Sequence, residues 1–165
     1  MTIRAFVGYG RTKLAPEQCD VIARGIHEAF RRNKTETPAD PSMADWEELN
    51  ERLKNSNRDQ ANHVFEKLRE IGCVVTPLVS GEAEPFTFTP AEVERLAEME
   101  HGRWNAERLL DGWRLGFPKD IIRKISPYIV PWADLSEDVR EWDRKAMLEI
   151  PTLLAQVGMQ VVRNK

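Results

Sequence analysis

Two short stripes of side chains carry the chemistry this sequence offers. An α-helix turns once per 3.6 residues, so positions i, i+3 and i+7 share a face. His101, Trp104 and Arg108 fall at that spacing, and so do His27, Phe30 and Lys34. Each stripe presents an imidazole, a large flat ring and a cation. If the stripes face one another, a planar base would stack between Phe30 and Trp104, at about 1–3 kcal/mol per base–aromatic contact. Lys34 and Arg108 would then reach outward to phosphates, Arg108 in a bidentate manner. The competing reading is plain packing, because an aromatic ring at helical spacing is more often core than ligand platform.

Arg58 and Arg144 follow Asn57 and Asp143 on the second helix of each half. They suit anion recognition, for Arg58 beside the helix N-terminus, or a helix cap and an ion pair. Trp46, Trp132 and Trp142 read as packing residues. Trp113 either packs or borders the cleft. The three histidines, His27, His63 and His101, lack the four-residue spacing of a zinc helix. Gly8-Tyr9-Gly10-Arg11 lacks the third glycine and the Gly-Lys-Ser/Thr of a phosphate loop. No catalytic constellation is apparent, so no catalytic residue, metal or cofactor is expected.

These stripes need a folded scaffold, and composition permits one. The chain has 165 residues, 41% of them hydrophobic and 31% charged, enough for one domain or two small ones. The net charge of −3 argues against a nucleic-acid coat or a strongly basic membrane binder. Two cysteines, Cys19 and Cys73, make neither a disulfide framework nor a four-thiolate zinc site, and suit a reducing cytoplasm. Met1 to Gly10 has no signal-peptide pattern, and no apolar run approaches the ~18–20 residues of a membrane span. A cytoplasmic protein is expected.

The elements follow from periodicity and punctuation. A short strand is expected over 3–9, a helix from Pro16 to about Lys34, and a loop over 35–42. A second helix is expected from Asn57 to Ile71, where Val64, Leu68 and Ile71 share a face, with Gly72 as its stop. A strand at 73–75 precedes a linker with an extended piece at Phe86 to Thr89. Thr89 and Glu92 form a capping box that starts a third helix, ending near Asp111 and Gly112. One helical turn is expected at 120–124. The fourth helix starts at Ser136, is kinked or divided by Pro151, and stops at Gly158. Met159 to Arg163 is a last strand.

The chain also resembles itself. At an offset of 86, Trp46 meets Trp132, Leu49 meets Leu135, Arg58 meets Arg144, Leu68 meets Leu154 and Gly72 meets Gly158. At an offset of 74, Pro16 meets Pro90, Ala23 meets Ala97, His27 meets His101 and Phe30 meets Trp104. The offsets differ by 12 residues, placed in the loop after the first helix of each half, where insertions are tolerated. Helical periodicity would align leucine and valine, but not tryptophan, arginine and a terminal glycine in one register. Residues 1–80 and 88–165 are therefore expected to be two similar repeats within one compact unit.

The second half resembles the RyR domain, the repeat of the cytoplasmic shell of ryanodine receptors and of small bacterial and phage proteins. The matching residues are Leu96-Ala97-Glu98, His101-x-x-Trp104, Gly112-Trp113-x-x-Gly116, Asp120, Ser126-Pro127, Val130-Pro131-x-x-x-Leu135 and Leu153-Leu154-Ala155-x-x-Gly158. The first half resembles a degenerate copy through His27-x-x-Phe30 and Asp45-Trp46-x-x-Leu49, and it lacks the Gly-Trp element. The resemblance implies a mainly α fold with short β-strands, built as a tandem pair of two-helix repeats related by pseudo-two-fold symmetry. It implies a non-enzymatic binding or sensor module with an aromatic cleft between the repeats for ATP, ADP-ribose or a cyclic ADP-ribose-like ligand. The ligand-binding set would be His27, Phe30, Lys34, Arg58, His101, Trp104, Arg108 and Trp113. The alternative is a protein–protein interaction module without a small ligand.

Overall fold

Helices dominate the computed structural model, which describes residues 13–33, 39–78 and 81–164. The expected strand at 3–9, the Gly8–Arg11 segment and Lys34 lie outside the described residues. Helix α1 spans Pro16–Asn33, with Pro16 at a first-turn position that needs no backbone donor. Helix α2 spans Glu51–Glu70 and begins six residues earlier than the apolar spacing predicts. The Asn50 side chain accepts the Leu53 N–H at 3.0 Å and so nucleates a polar first turn that carries no hydrophobic signal. Arg58 consequently sits within the helix and not at its start.

Gly72, at φ +73°, turns the chain out of α2 into strand β1, Cys73–Pro77. This left-handed conformation is one that a side chain disfavours. Helix α3 runs Pro90–Leu110 behind the expected capping box, with both reciprocal Thr89–Glu92 hydrogen bonds formed. The piece at 86–89 pairs with no strand. Its rings pack instead, with Phe86 and Phe88 centred 5.1 Å apart and Phe88 buried.

After α3 come two short parallel strands, β2 (Arg114–Leu115) and β3 (Ile125–Ser126). Two-residue strands leave no periodicity to read. The turn expected at 120–124 is closed by reciprocal Asp120–Ile125 backbone bonds and is not a helix. The fourth helix is divided, as Pro151 requires, into α4 (Glu137–Leu148) and α5 (Ile150–Ala155). Ser136 takes the extended N-cap backbone conformation, but its side chain makes no cap bond. Gly158, at φ +72°, leads into β4, Met159–Arg163. Strands β1 and β4 pair antiparallel with Val75 opposite Val161.

Helix α1 packs on α2 and α3 on α4, with α2 touching α3 and α1 touching α4. Ile22, Leu68, Leu96, Met147 and Leu154 meet in the core, each at most 1% exposed. No helix among the described residues is long and apolar enough to cross a membrane.

A charged pair, Lys67 and Glu100, lies inside this core. Lys67 is fully buried, and its Nζ donates to Glu100 Oε2 at 2.6 Å. Arg103 donates to both Glu100 oxygens and, through Nη1, to Glu107 at 2.9 Å, which also accepts from Ser56 Oγ. Burial alone would raise the Glu100 carboxyl. The charges of Lys67 and Arg103 outweigh that and hold it well below the usual carboxylate range.

Leu68→Ala should destabilise the fold by about 2–5 kcal/mol, read from urea unfolding. Lys67→Met leaves Glu100 buried with one fewer cation and should cost about 3–5 kcal/mol. Because the folded carboxyl is depressed, its contribution is full above about pH 4.5 and is lost as the pH falls below that. Lys67→Met should therefore also flatten the acid limb of the stability profile, measured by urea melts at successive pH values.

Candidate ligand cleft

A cleft of about 200 Å³ opens among α1, α2, α3 and α4. One water needs ~10–15 Å³ of such space, so there is room for on the order of ten, and the cleft is no packing flaw. The two stripes do converge here. His27 and Phe30 line it from α1, and His101, Trp104 and Arg108 line it from α3. Ser56, Asn57 and Gln60 face it from α2.

Each imidazole is held by one hydrogen bond and two ring contacts. His27 Nε2 donates to the Ala44 carbonyl at 2.7 Å, and His101 Nε2 donates to the Val130 carbonyl at 2.7 Å. A carbonyl only accepts, so Nε2 must carry the hydrogen in both rings. In the neutral ring Nδ1 then keeps its lone pair. His27 stacks on Phe30 (6.4 Å between centroids, 20°), and His101 stacks on Trp104 (5.9 Å, 19°). Behind them, His27 meets Trp46 at 6.0 Å and His101 meets Trp132 at 6.0 Å, tilted by 52° and 54°. Trp46 and Trp132 pack against the core, as expected of them.

Arg108 differs from its expected pose. It does not reach out to solvent; its side chain is 14% exposed. Its guanidinium lies 5.3 Å from the Trp104 ring centre and 5.1 Å from that of Trp113. Two indole faces favour a cation lodged against them over one pointing away. Gly112, at φ +84°, makes the turn that brings Trp113 back onto Arg108. Burial lowers the affinity of Arg108 for its proton, against the pull of Glu107. Nη1 is buried with no hydrogen-bond partner, and the nearest carboxylate oxygen, Glu107 Oε1, is 4.0 Å away.

Trp113 is buried beneath Arg108 and donates its indole N–H to Asp111 at 3.1 Å, so it supports the cleft wall without lining it. Arg58 lies outside the cleft. Its Nε donates to Asp20 at 2.6 Å and its Nη1 to Glu51 at 3.1 Å. Arg144 does the same with Glu94 at 2.7 Å and Glu137 at 2.8 Å. The ion-pair reading of both arginines is the one the geometry supports, because α2 begins too early for Arg58 to flank its N-terminus.

Sequence reasoning missed the α4 wall. Trp142, read as a packing residue, lines the cleft and meets the Tyr128 ring edge-on at 5.4 Å. Asp143 lines it too, with Oδ2 3.8 Å from His101 Nδ1. Val139, Trp142, Ala146 and Glu149 recur at spacings of three and four, and that face was the available signal. The inner end of the cleft carries Glu100 and Arg103. Lys67 also had a signal, since it falls inside the Val64–Leu68–Ile71 stripe, where a charge is out of place. Among the described residues no group of three or more His, Cys, Asp or Glu is placed to hold a metal.

Residues 89–163 match the family model of the RyR domain. The match runs from the cap of α3 to the end of β4, so it includes His101, Trp104, Arg108, Trp142 and Asp143. It points to a ligand-binding or interaction module. The second half of the chain is thus similar to the RyR domain, which supports membership of that family.

Proposed function

We propose that this chain is a non-enzymatic cytoplasmic binding module whose cleft takes a planar, anionic ligand of the adenine-nucleotide class, such as ATP, ADP-ribose or cyclic ADP-ribose. The observation that carries the reading is Arg108. A buried guanidinium N–H without a partner is unfavourable, and an anionic oxygen entering the cleft would satisfy it. Phe30, Trp104 and Trp142 offer ring surface to a base in the same space. The family match supports a binding module and names no ligand.

In this reading the two halves are tandem RyR-type repeats related by pseudo-two-fold symmetry. The support is the recurrence of contacts at the two sequence offsets. The His–carbonyl bond, the ring stack, the second tryptophan and the arginine fork all recur. Strands β1 and β4 correspond at the 86-residue offset and pair with each other. A cleft between such repeats would be lined by equivalent helices from each side.

Titration with ATP, ADP-ribose and cyclic ADP-ribose, followed by tryptophan fluorescence, should give saturable changes for at least one of them. Trp104→Ala should weaken that binding about fivefold to 150-fold, the worth of one base–aromatic contact. Arg108→Met should weaken phosphate-bearing ligands more than adenosine. Bound ligand should also raise the melting temperature by mass action. Indifference of binding to Trp104→Ala would sink the cleft assignment. Absence of binding by all three, with capture of a protein partner, would favour the interaction-module alternative.

A further inference from the structure

The end of α3 and the loop after it hold large apolar side chains out into solvent. Leu110 is 90% exposed, Leu115 60%, Phe117 87% and Ile122 95%. Leu109 and Ile121 beside them are exposed too, at 57% and 41%, whereas Val21, Leu148 and Val162 are scattered over separate elements. Isolated exposed leucines need no explanation, but four such residues within thirteen positions do.

The loop is not free to fold them inward. Arg114 N–H donates to the Lys124 carbonyl at 2.8 Å and Gly116 N–H to Ser126 at 3.2 Å, while Asp120 and Ile125 exchange bonds at 2.9 and 2.8 Å. A Cβ on Gly116 would lie 2.6 Å from Ile125 Cγ2, so the chain is drawn tight there. Lys119 reaches Asp40 at 3.1 Å, and Lys124 reaches Asp111 at 3.1 Å, which anchors the loop to the body at two points.

The charge beside the apolar tips is positive. Arg114 is exposed, and Arg123 is 77% exposed with Asp120 at 3.8 Å as its nearest carboxylate. The whole chain carries −3, so this cationic rim is a local feature and not a general one. Side chains this exposed project from the surface, and none of the four lines the cleft. Projecting tips offer no groove to an extended peptide. A fluid bilayer needs no matching shape, takes apolar tips at its acyl boundary, and sets its anionic headgroups against flanking arginines.

We propose that this loop is a membrane-docking knob that inserts Leu110, Leu115, Phe117 and Ile122 into an anionic lipid surface, with Arg114 and Arg123 on the headgroups. It does not depend on the ligand reading of the cleft.

Flotation of the full chain with phosphatidylcholine vesicles, with and without 30% phosphatidylserine, tests it. Wild type should float with the serine lipid and much less with phosphatidylcholine alone. Phe117→Ser with Ile122→Ser should lower that partition at least tenfold without shifting the melting temperature, because both side chains are already solvated. One cation near such a surface strengthens binding about fivefold, so Arg114→Glu with Arg123→Glu should lower it about 25-fold or more. Failure to float with either vesicle overturns the proposal. So does partition unchanged by the Ser pair, or self-association that the Ser pair abolishes in the absence of lipid binding, which would assign the knob to a second copy of the chain.

Discussion

The Glu100 carboxylate is the constraint on which the rest of the structure turns. It lies in the core with Lys67 from α2 on one side and Arg103 from its own helix on the other. Two ions taken out of water forfeit hydration that only close, well-formed hydrogen bonds restore. The arrangement therefore tolerates little shift of α2 against α3. That junction is also where the α1–α2 pair meets the α3–α4 pair, and Glu100 and Arg103 form part of the cleft between them. The most constrained position of the core thus lies next to the cleft.

The cleft walls are fixed by a second device. Each imidazole is tied to a backbone carbonyl and flanked by two aromatic rings, so the faces presented to the cleft are set before anything enters. Preorganised side chains lose less conformational freedom on binding than mobile ones. Arg108 is the exception in its chemistry. It is positioned as firmly as its neighbours, between Trp104 and Trp113, yet it leaves a hydrogen-bond donor unspent. The same turn at Gly112 that seats Trp113 also launches the exposed loop, so one backbone feature serves the cleft wall and the outer knob.

Local structure was readable wherever the signal is local. The capping box at Thr89 and Glu92, the stops at Gly72 and Gly158, and the break at Pro151 each act within one helical turn, and each appears as the residue types require. The stripes at i, i+3 and i+7 identified five residues that share one cleft. The start of α2 was misplaced because its first turns are polar and hold no apolar period. The α4 wall was missed because Trp142 has the same composition signal whether it packs or faces a cavity.

What residue order alone determined is which face of each helix is apolar, where a cap, a glycine or a proline bounds a helix, and which positions recur at two offsets. Tertiary structure alone decided the partners. Lys67 and Glu100 stand 33 residues apart, and nothing in either neighbourhood names the other. Arg108 reads as an outward cation until Trp113 folds over it. Strand β1 finds β4 across most of the chain. Periodicity specifies a direction from a helix axis, but a contact also needs the position of a second axis, and that exists only once the helices have packed.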